Sequence, residues 1–350
     1  MEYREIGRTG IRISAIGFGS GDNAGLLVKG APEEQLRVVE RALELGINYF
    51  DTSPDYGKGL AETNIGKAMK EIGFRPVLTT KVEIMPDELD HIADAVVESV
   101  EDSLRRLDVD HVDFVQIHNP PGLVTDTTVP GWLHLGIDDY LRPGGALDGL
   151  ERLRRAGKTR FLGFANEDAD PDAVKTLLET REFHLLNVWY DLLNPTAGMA
   201  RPDGLEIQHD YGQFLDRALE LGIGTAVIRP LAGGVLTDHA VQGGARHQLA
   251  GGGLTRNADM YQAMVERAKP FAFLSRPGQR LSDAAYRFIL AHPGVTTVLG
   301  GFSEVSHLEE AAECVNAPSL SEEDMMRLDM VWRSNVGRWA SKEAQFISGL

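Results

Sequence analysis

One cysteine, Cys314, stands in 350 residues, so no internal disulfide can form, and the chain fits a reducing, cytoplasmic setting. Basic charge is scarce too: 35 Lys and Arg against 52 Asp and Glu leave a net charge of −17. That excess argues against a nucleic-acid or anionic-membrane partner, though not against one anionic ligand held locally. No apolar run approaches the roughly 18 residues of a membrane span. The opening Met1-Glu-Tyr-Arg-Glu-Ile-Gly lacks the apolar core of a signal peptide. Low-complexity linkers are missing as well, which predicts one domain over residues 1–350.

What is present is 43% hydrophobic residues in a strand–helix alternation. Tyr3 to Ser14 carries a Gly-bearing turn between two short alternating segments, the pattern of a hairpin. Strands are expected at 13–18, 48–51, 77–81, 112–118, 159–166, 185–193, 224–229 and 296–299. Helices fall between them; the one opening at Pro32 sets Leu36, Val39 and Leu43 on one face, and another runs from Asp259 to Leu274. Eight such units predict a (β/α)8 TIM barrel with an N-terminal hairpin and extra C-terminal helices and loops. Long loops at 120–145, 192–208 and 231–257 interrupt the rhythm, the last Gly-rich with little to bury. The tail 321–350 opens on a helix cap, Ser321 with Asp324, and is expected to pack on the barrel.

Several of these strands finish in an ionisable residue. Asp51 ends the second, Lys81 the third and His118 the fourth, while Tyr56 follows Asp51 in the loop Asp51-Thr-Ser-Pro-Asp-Tyr-Gly. Barrel strand ends converge on one site, so these four groups form a candidate proton-transfer device built around a phenol. Alone, Asp51 and Lys81 read equally as a structural ion pair, and His118 as a satisfied core histidine. A metal-dependent barrel hydrolase needs clustered ligands. No His-x-His pair marks the first strand, and His134, His209, His239 and His247 form no ligand set.

Gly17-Phe-Gly, Gly46-Ile-Asn-Tyr-Phe-Asp-Thr-Ser-Pro-Asp-Tyr-Gly, Thr80-Lys, Gln116-Ile-His and Arg229-Pro-Leu-Ala-Gly-Gly follow one another in the order of the aldo-keto reductases, which the chain resembles over nearly its whole length. The resemblance implies carbonyl–alcohol interconversion with a nicotinamide cofactor, NAD or NADP, and a tetrad of Asp51, Tyr56, Lys81 and His118. In that tetrad Lys81 favours the phenolate of Tyr56, Asp51 holds Lys81 charged, and His118 orients the carbonyl or relays the proton. It also implies a cofactor site containing Gly19, Asp51, Asn166, Asn187 and Arg229, with both Asn amides near the carboxamide and Arg229 stacking on the ring. The loop residues Pro230, Leu231, Gly233 and Gly234, with Gly300, Gly301, Phe302 and Ser303, would lie along the phosphates.

Relatives that prefer NADP(H) carry Lys or Arg at the start of the last helix. Here Glu304, His307 and Glu310 stand there with no Lys or Arg between Gly300 and Ala312, a lean towards NAD(H). The substrate is expected to be a small carbonyl or alcohol, an aldehyde, ketone or sugar. Its pocket would draw on Asp22, Asn23, Asn119, Trp132, Trp189 and Tyr190. A cofactor-holding regulatory subunit, which some barrels of this family resemble, is the alternative.

Overall fold

The hairpin comes first: β1 (Tyr3–Glu5) and β2 (Arg12–Ser14) pair antiparallel, with Tyr3 opposite Ser14. The computed structural model describes residues 1–128, 132–207, 209–251 and 257–334. Four parallel strands follow, β3 (Ile16–Gly19), β4 (Tyr49–Asp51), β5 (Val77–Val82) and β6 (Val112–Ile117). A small parallel pair, β7 (Pro121–Gly122) and β8 (Leu135–Gly136), sits inside the next loop. Then come β9 (Thr159–Ala165), β10 (Leu185–Trp189), β11 (Gly224–Ile228) and β12 (Thr297–Gly301). β12 pairs back on β3, closing the expected (β/α)8 barrel of eight parallel strands, which excludes β7 and β8.

Inside the barrel, Ile6 and Ile13 of the hairpin join Tyr49, Phe114, Leu185, Ala226 and Leu299 in one small apolar cluster. The hairpin reaches it because Gly7 sits at φ 45°, where a Cβ would lie 2.3 Å from the Gly222 carbonyl oxygen. Arg8 then donates to the carbonyls of Leu221 and Phe183. The larger core lies between strands and helices.

Two helices differ from the sequence expectation. The helix Pro32–Glu44 buries Gln35, Val38, Val39 and Ala42, leaving Leu36 and Leu43 at the margin. Small Ala42 and β-branched Val38 and Val39 permit a closer approach to the barrel than two leucines would. The expected helix 259–274 is α-helical only over Ala258–Ala268, and Lys269–Leu274 tightens to a 3-10 helix at Pro270, which has no N–H to donate.

The 231–257 segment is also less empty than its glycines imply, since Val235, Leu236 and Ala240 are buried. Its Gly252 and Gly253, like the tail beyond Ser334, lie outside the described residues. The tail's helix Glu322–Arg333 has the expected capping box of Ser321 and Asp324, and the buried Trp332 indole donates to the Leu192 carbonyl at 2.8 Å. Among the described residues no helix is long and apolar enough to cross a membrane.

Candidate active site

The C-terminal ends of β4, β5 and β6 bring Asp51, Lys81 and His118 together, and the turn after β4 folds Tyr56 over them. Lys81 is buried and donates to three oxygens: an Asp51 carboxylate oxygen, the Thr52 carbonyl at 2.9 Å and the Tyr56 hydroxyl at 3.2 Å. An ammonium has three protons, and all three are engaged. Since Lys81 donates to the phenol oxygen, the phenol's own proton must point elsewhere, and the cavity borders it.

Burial raises the Tyr56 pKa above 10, outweighing the pull of Lys81; Asp51 and Glu167 push the same way as burial. The expectation that Lys81 favours phenolate holds for its sign, but desolvation wins, and the phenol is protonated at neutral pH. For Lys81, burial works against the charge, yet the Asp51 carboxylate and the hydrogen bonds to Asp51 and Tyr56 outweigh it and the pKa is raised.

His118 meets Tyr56 edge-on, ring centres 6.1 Å apart, and Trp132 at 5.4 Å. Burial, helped by the charges of Lys81 and Arg229, lowers its pKa to about 3, so its imidazole is neutral. Its Nδ1 is buried without a partner among the described residues.

A cavity of about 620 Å³ includes this cluster and reaches the helix Val305–Glu313. Its walls include Gly19, Asn23, Asn187, Arg229, Pro230, Leu231, Gly233 and Gly234. Gly301, Phe302 and Ser303 line it too, with Glu304, His307 and Glu310 where it meets that helix. Asn166, between the wall residues Ala165 and Glu167, is itself fully buried: its Oδ1 accepts from the Trp189 backbone N–H at 3.3 Å, while its Nδ2 has no partner among the described residues. A buried donor left open next to a cavity suits a ligand carbonyl. Gly300 has no room for a Cβ, which would meet the Phe302 ring at 2.3 Å, so the ring of this wall residue packs directly on the strand backbone. Nicotinamide dinucleotide therefore fits the residues present.

Other expectations meet different surroundings. Asn119 does not reach the cavity; its amide ties the backbone of Ile84 and Leu133 together, with distances of 2.6 to 3.1 Å. Tyr190 faces away from it, buried against Phe288 and His292, because alternate residues of a strand point to opposite sides. Trp189 donates to Asp191 and lies under Arg229, whose guanidinium is 4.9 Å from the indole ring and paired with Glu167. Arg229 thus already has a stacking partner, and it takes a left-handed φ of 56° to reach it. Asp22 accepts from the Gly57 N–H at 3.2 Å beneath the Tyr56 turn. Asn187 has both ends of its amide engaged, with Asp51 at 3.2 Å and Gln116 at 3.0 Å.

Sequence reasoning missed Glu167, Arg246, His247 as a wall residue, Tyr261 and Arg280, all of which border the cavity. Glu167 follows Asn166 at a strand end and was open to the same argument. The others come from distant loops and a helix start, with no local signal. Arg280 is held by Asp283, Glu310 and Glu313, and His247 contacts Glu304 at 3.1 Å. Among the described residues no three His, Cys, Asp or Glu side chains are grouped to hold a metal ion.

A family model described as the Aldo/keto reductase family matches residues 15–333. L-galactose dehydrogenase of Arabidopsis thaliana is 27% identical over 346 residues, covering 96% of this chain and 93% of that protein. Aldo-keto reductase YhdN of Bacillus subtilis is 28% identical over 352 residues, covering 96% and 95%. The holo form of aldo-keto reductase AKR11C1 from Bacillus halodurans matches with a TM-score of 0.69 at 24% identity, covering 98% of this chain and 99% of that one, a likeness of fold. Because the family match takes in all eight barrel strands, the protein belongs to the aldo-keto reductases, oxidoreductases whose general chemistry is nicotinamide-dependent carbonyl reduction.

Proposed function

We propose that the protein interconverts a neutral aldehyde, ketone or sugar and its alcohol, with Tyr56 as general acid and base. The observation that carries this reading is the threefold engagement of Lys81, which leaves the Tyr56 proton directed at the cavity. Bound NAD(P)H supplies a hydride to the carbonyl carbon. The open Asn166 Nδ2 would donate to its carboxamide, and Gly301 and Gly234, which line the cavity, would hold its phosphates. As charge develops on the substrate oxygen, Tyr56 gives up its proton, and the Lys81 ammonium stabilises the phenolate left behind. Neutral His118 hydrogen-bonds the same oxygen and orients it. For alcohol oxidation Tyr56 acts in reverse, as phenolate.

Burial and the neighbouring charge of Asp22 raise the Asp55 pKa, and burial with Asp55 pushes Glu83 up to about 7. Asp55 adjoins Tyr56 in the chain, and these acidic surroundings are our ground for reading the substrate as uncharged. We read the cofactor as NAD(H), from Glu304 at the adenosine end.

The test is a panel of neutral and anionic carbonyls and alcohols with both cofactors. Turnover of neutral members is expected, and Tyr56→Phe should lose roughly 10²-fold or more while still binding cofactor. Near-parental turnover by the Phe variant defeats the Tyr56 assignment. Cofactor binding without turnover across the panel would favour a regulatory subunit instead.

A further inference from the structure

Three polar side chains, Asp51 of the tetrad among them, occupy the barrel interior, where layers of bulky apolar residues are usual. Asp51 on β4, Gln116 on β6 and Asn187 on β10 come from alternate strands around the barrel, the pattern that makes one layer. All three are almost wholly enclosed. Their hydrogen bonds run in one direction. Gln116 Nε2 donates to the Phe164 carbonyl at 3.3 Å and to Asn187 Oδ1 at 3.0 Å, and Asn187 Nδ2 donates to Asp51 Oδ2 at 3.2 Å.

Both ends of this chain can only accept: a backbone carbonyl at one, a carboxylate at the other. The Phe164 carbonyl forces the Gln116 NH2 towards it. That NH2 then forces the Asn187 oxygen to face Gln116, and the Asn187 NH2 is left pointing at Asp51. Neither amide can flip without setting two donors or two acceptors face to face.

We propose that Gln116 and Asn187 are positioning residues that fix the Asp51 carboxylate, so that Lys81 is held against the Tyr56 hydroxyl rather than collapsing onto Asp51 alone. The proposal assigns Asn187 a role other than the carboxamide contact and rests on the reading of Tyr56 given above. With Asp51 Oδ2 occupied by Asn187, only Oδ1 is presented to Lys81, and the remaining ammonium protons go to Thr52 and Tyr56. If the layer is broken, both Asp51 oxygens become available to Lys81, the ammonium shifts towards them, and the phenol loses part of its stabilisation as phenolate. Its pKa then rises.

The experiment follows the Tyr56 ring by NMR of the ring-labelled, cofactor-free protein during alkaline titration, with Tyr56→Phe identifying the signal. Gln116→Met removes the anchor at a position that does not border the cavity. The Tyr56 transition should move up by about half a unit or more. Cofactor affinity should stay within about twofold, and alcohol oxidation, which needs phenolate, should lose more rate than carbonyl reduction. Gln116→Glu keeps the shape with one donor at most, and should shift the transition the same way if the Met variant does not fold. An unmoved transition in the folded variants overturns the proposal. So does an Asn187→Leu protein that loses cofactor more than about tenfold with its Tyr56 titration in place, since that marks a carboxamide contact. Because the titration needs neither cofactor nor turnover, a shift there alongside an active Tyr56→Phe enzyme would refute the acid assignment and leave the positioning role standing.

Discussion

At one end of the cavity Lys81 and Asp51 make an ion pair whose side chains are 2% and 3% exposed; at the other, His247 and Glu304 make a 3.1 Å contact whose side chains are 27% and 54% exposed. The first pair stands on adjacent strands of the barrel, the second joins a loop to the start of the helix Val305–Glu313. In a buried pair the loss of one partner strands a charge away from water, at about 3–5 kcal/mol, whereas an exposed pair contributes about 0–1 kcal/mol. The contrast implies that the tetrad end is rigid and intolerant of substitution, while the Glu304 end, proposed above to hold the adenosine, is cheap to change.

Lys81→Met is the strongest way to break that contrast. It leaves Asp51 buried and unpaired and removes the charge that stabilises the Tyr56 phenolate. Turnover should fall by about 10²-fold or more, and stability by about 3–5 kcal/mol in urea unfolding. Adding Asp51→Asn should recover much of the stability and none of the turnover. Recovery of both would mean that Lys81 acts only by neutralising Asp51.

His118 gives the next largest effect. Its pKa is 6.5 when unfolded and about 3 in place, so the unfolded chain binds a proton that the folded one refuses. Its contribution to stability is full above pH 6.5 and is lost as pH falls towards 3, at about 1.4 kcal/mol per pH unit within that window. His118→Asn should flatten the acid side of a stability–pH curve, and the parental rate profile should show no His118 inflection near neutrality. A curve of unchanged slope would mean that the imidazole takes up a proton in place.

The same contrast explains what was legible in the chain. Asp51, Lys81 and His118 were readable because each ends an apolar strand, and barrel closure alone brings strand ends together. Tyr56 was readable from its place in the turn. Asn119 and Tyr190 misled because nearness in sequence to His118 and to β10 says nothing of which way a side chain faces; Tyr190 is turned out to Phe288. Arg280, Arg246 and His247 were invisible because loop closure over long separations leaves no local pattern. Glu167 illustrates a third kind of miss: its position was accessible, but its partner Arg229 is 62 residues away.

The Gly-rich segment tests whether the open end tightens around a ligand. Its first part is anchored by buried Val235, Leu236 and Ala240, while Lys29 reaches the Leu249 carbonyl at 3.3 Å and His247 meets Glu304. Tryptic cleavage at Arg246, which borders the cavity, should slow several-fold when nicotinamide cofactor is added, as for a loop that closes over a ligand. Equal cleavage with and without cofactor would make the segment a fixed wall.

The smallest effect expected is on cofactor choice. A 2′-phosphate brings about two negative charges to a region that presents Glu304 and Glu310. Burial lowers the His307 pKa, against the pull of Glu304 and Glu310, so it offers no charge at neutral pH. Arg280 borders the same space, but three carboxylates already surround it. Arg246 lines the cavity as well, outside the stretch in which a cation was expected. Glu304→Lys removes a repulsive charge, supplies an attractive one, and breaks the contact with His247. Because the Glu304 side chain is 54% exposed, solvent and salt screen the change to about 1 kcal/mol, a several-fold shift towards NADPH that shrinks at high salt. Arg246→Ala should move preference the other way by a similar amount. Titrating both variants and the parent with NADH and NADPH decides between the two charges. Tighter NADPH binding by the parent, abolished by Arg246→Ala and indifferent to Glu304→Lys, would give the choice to the loop and take it from the helix.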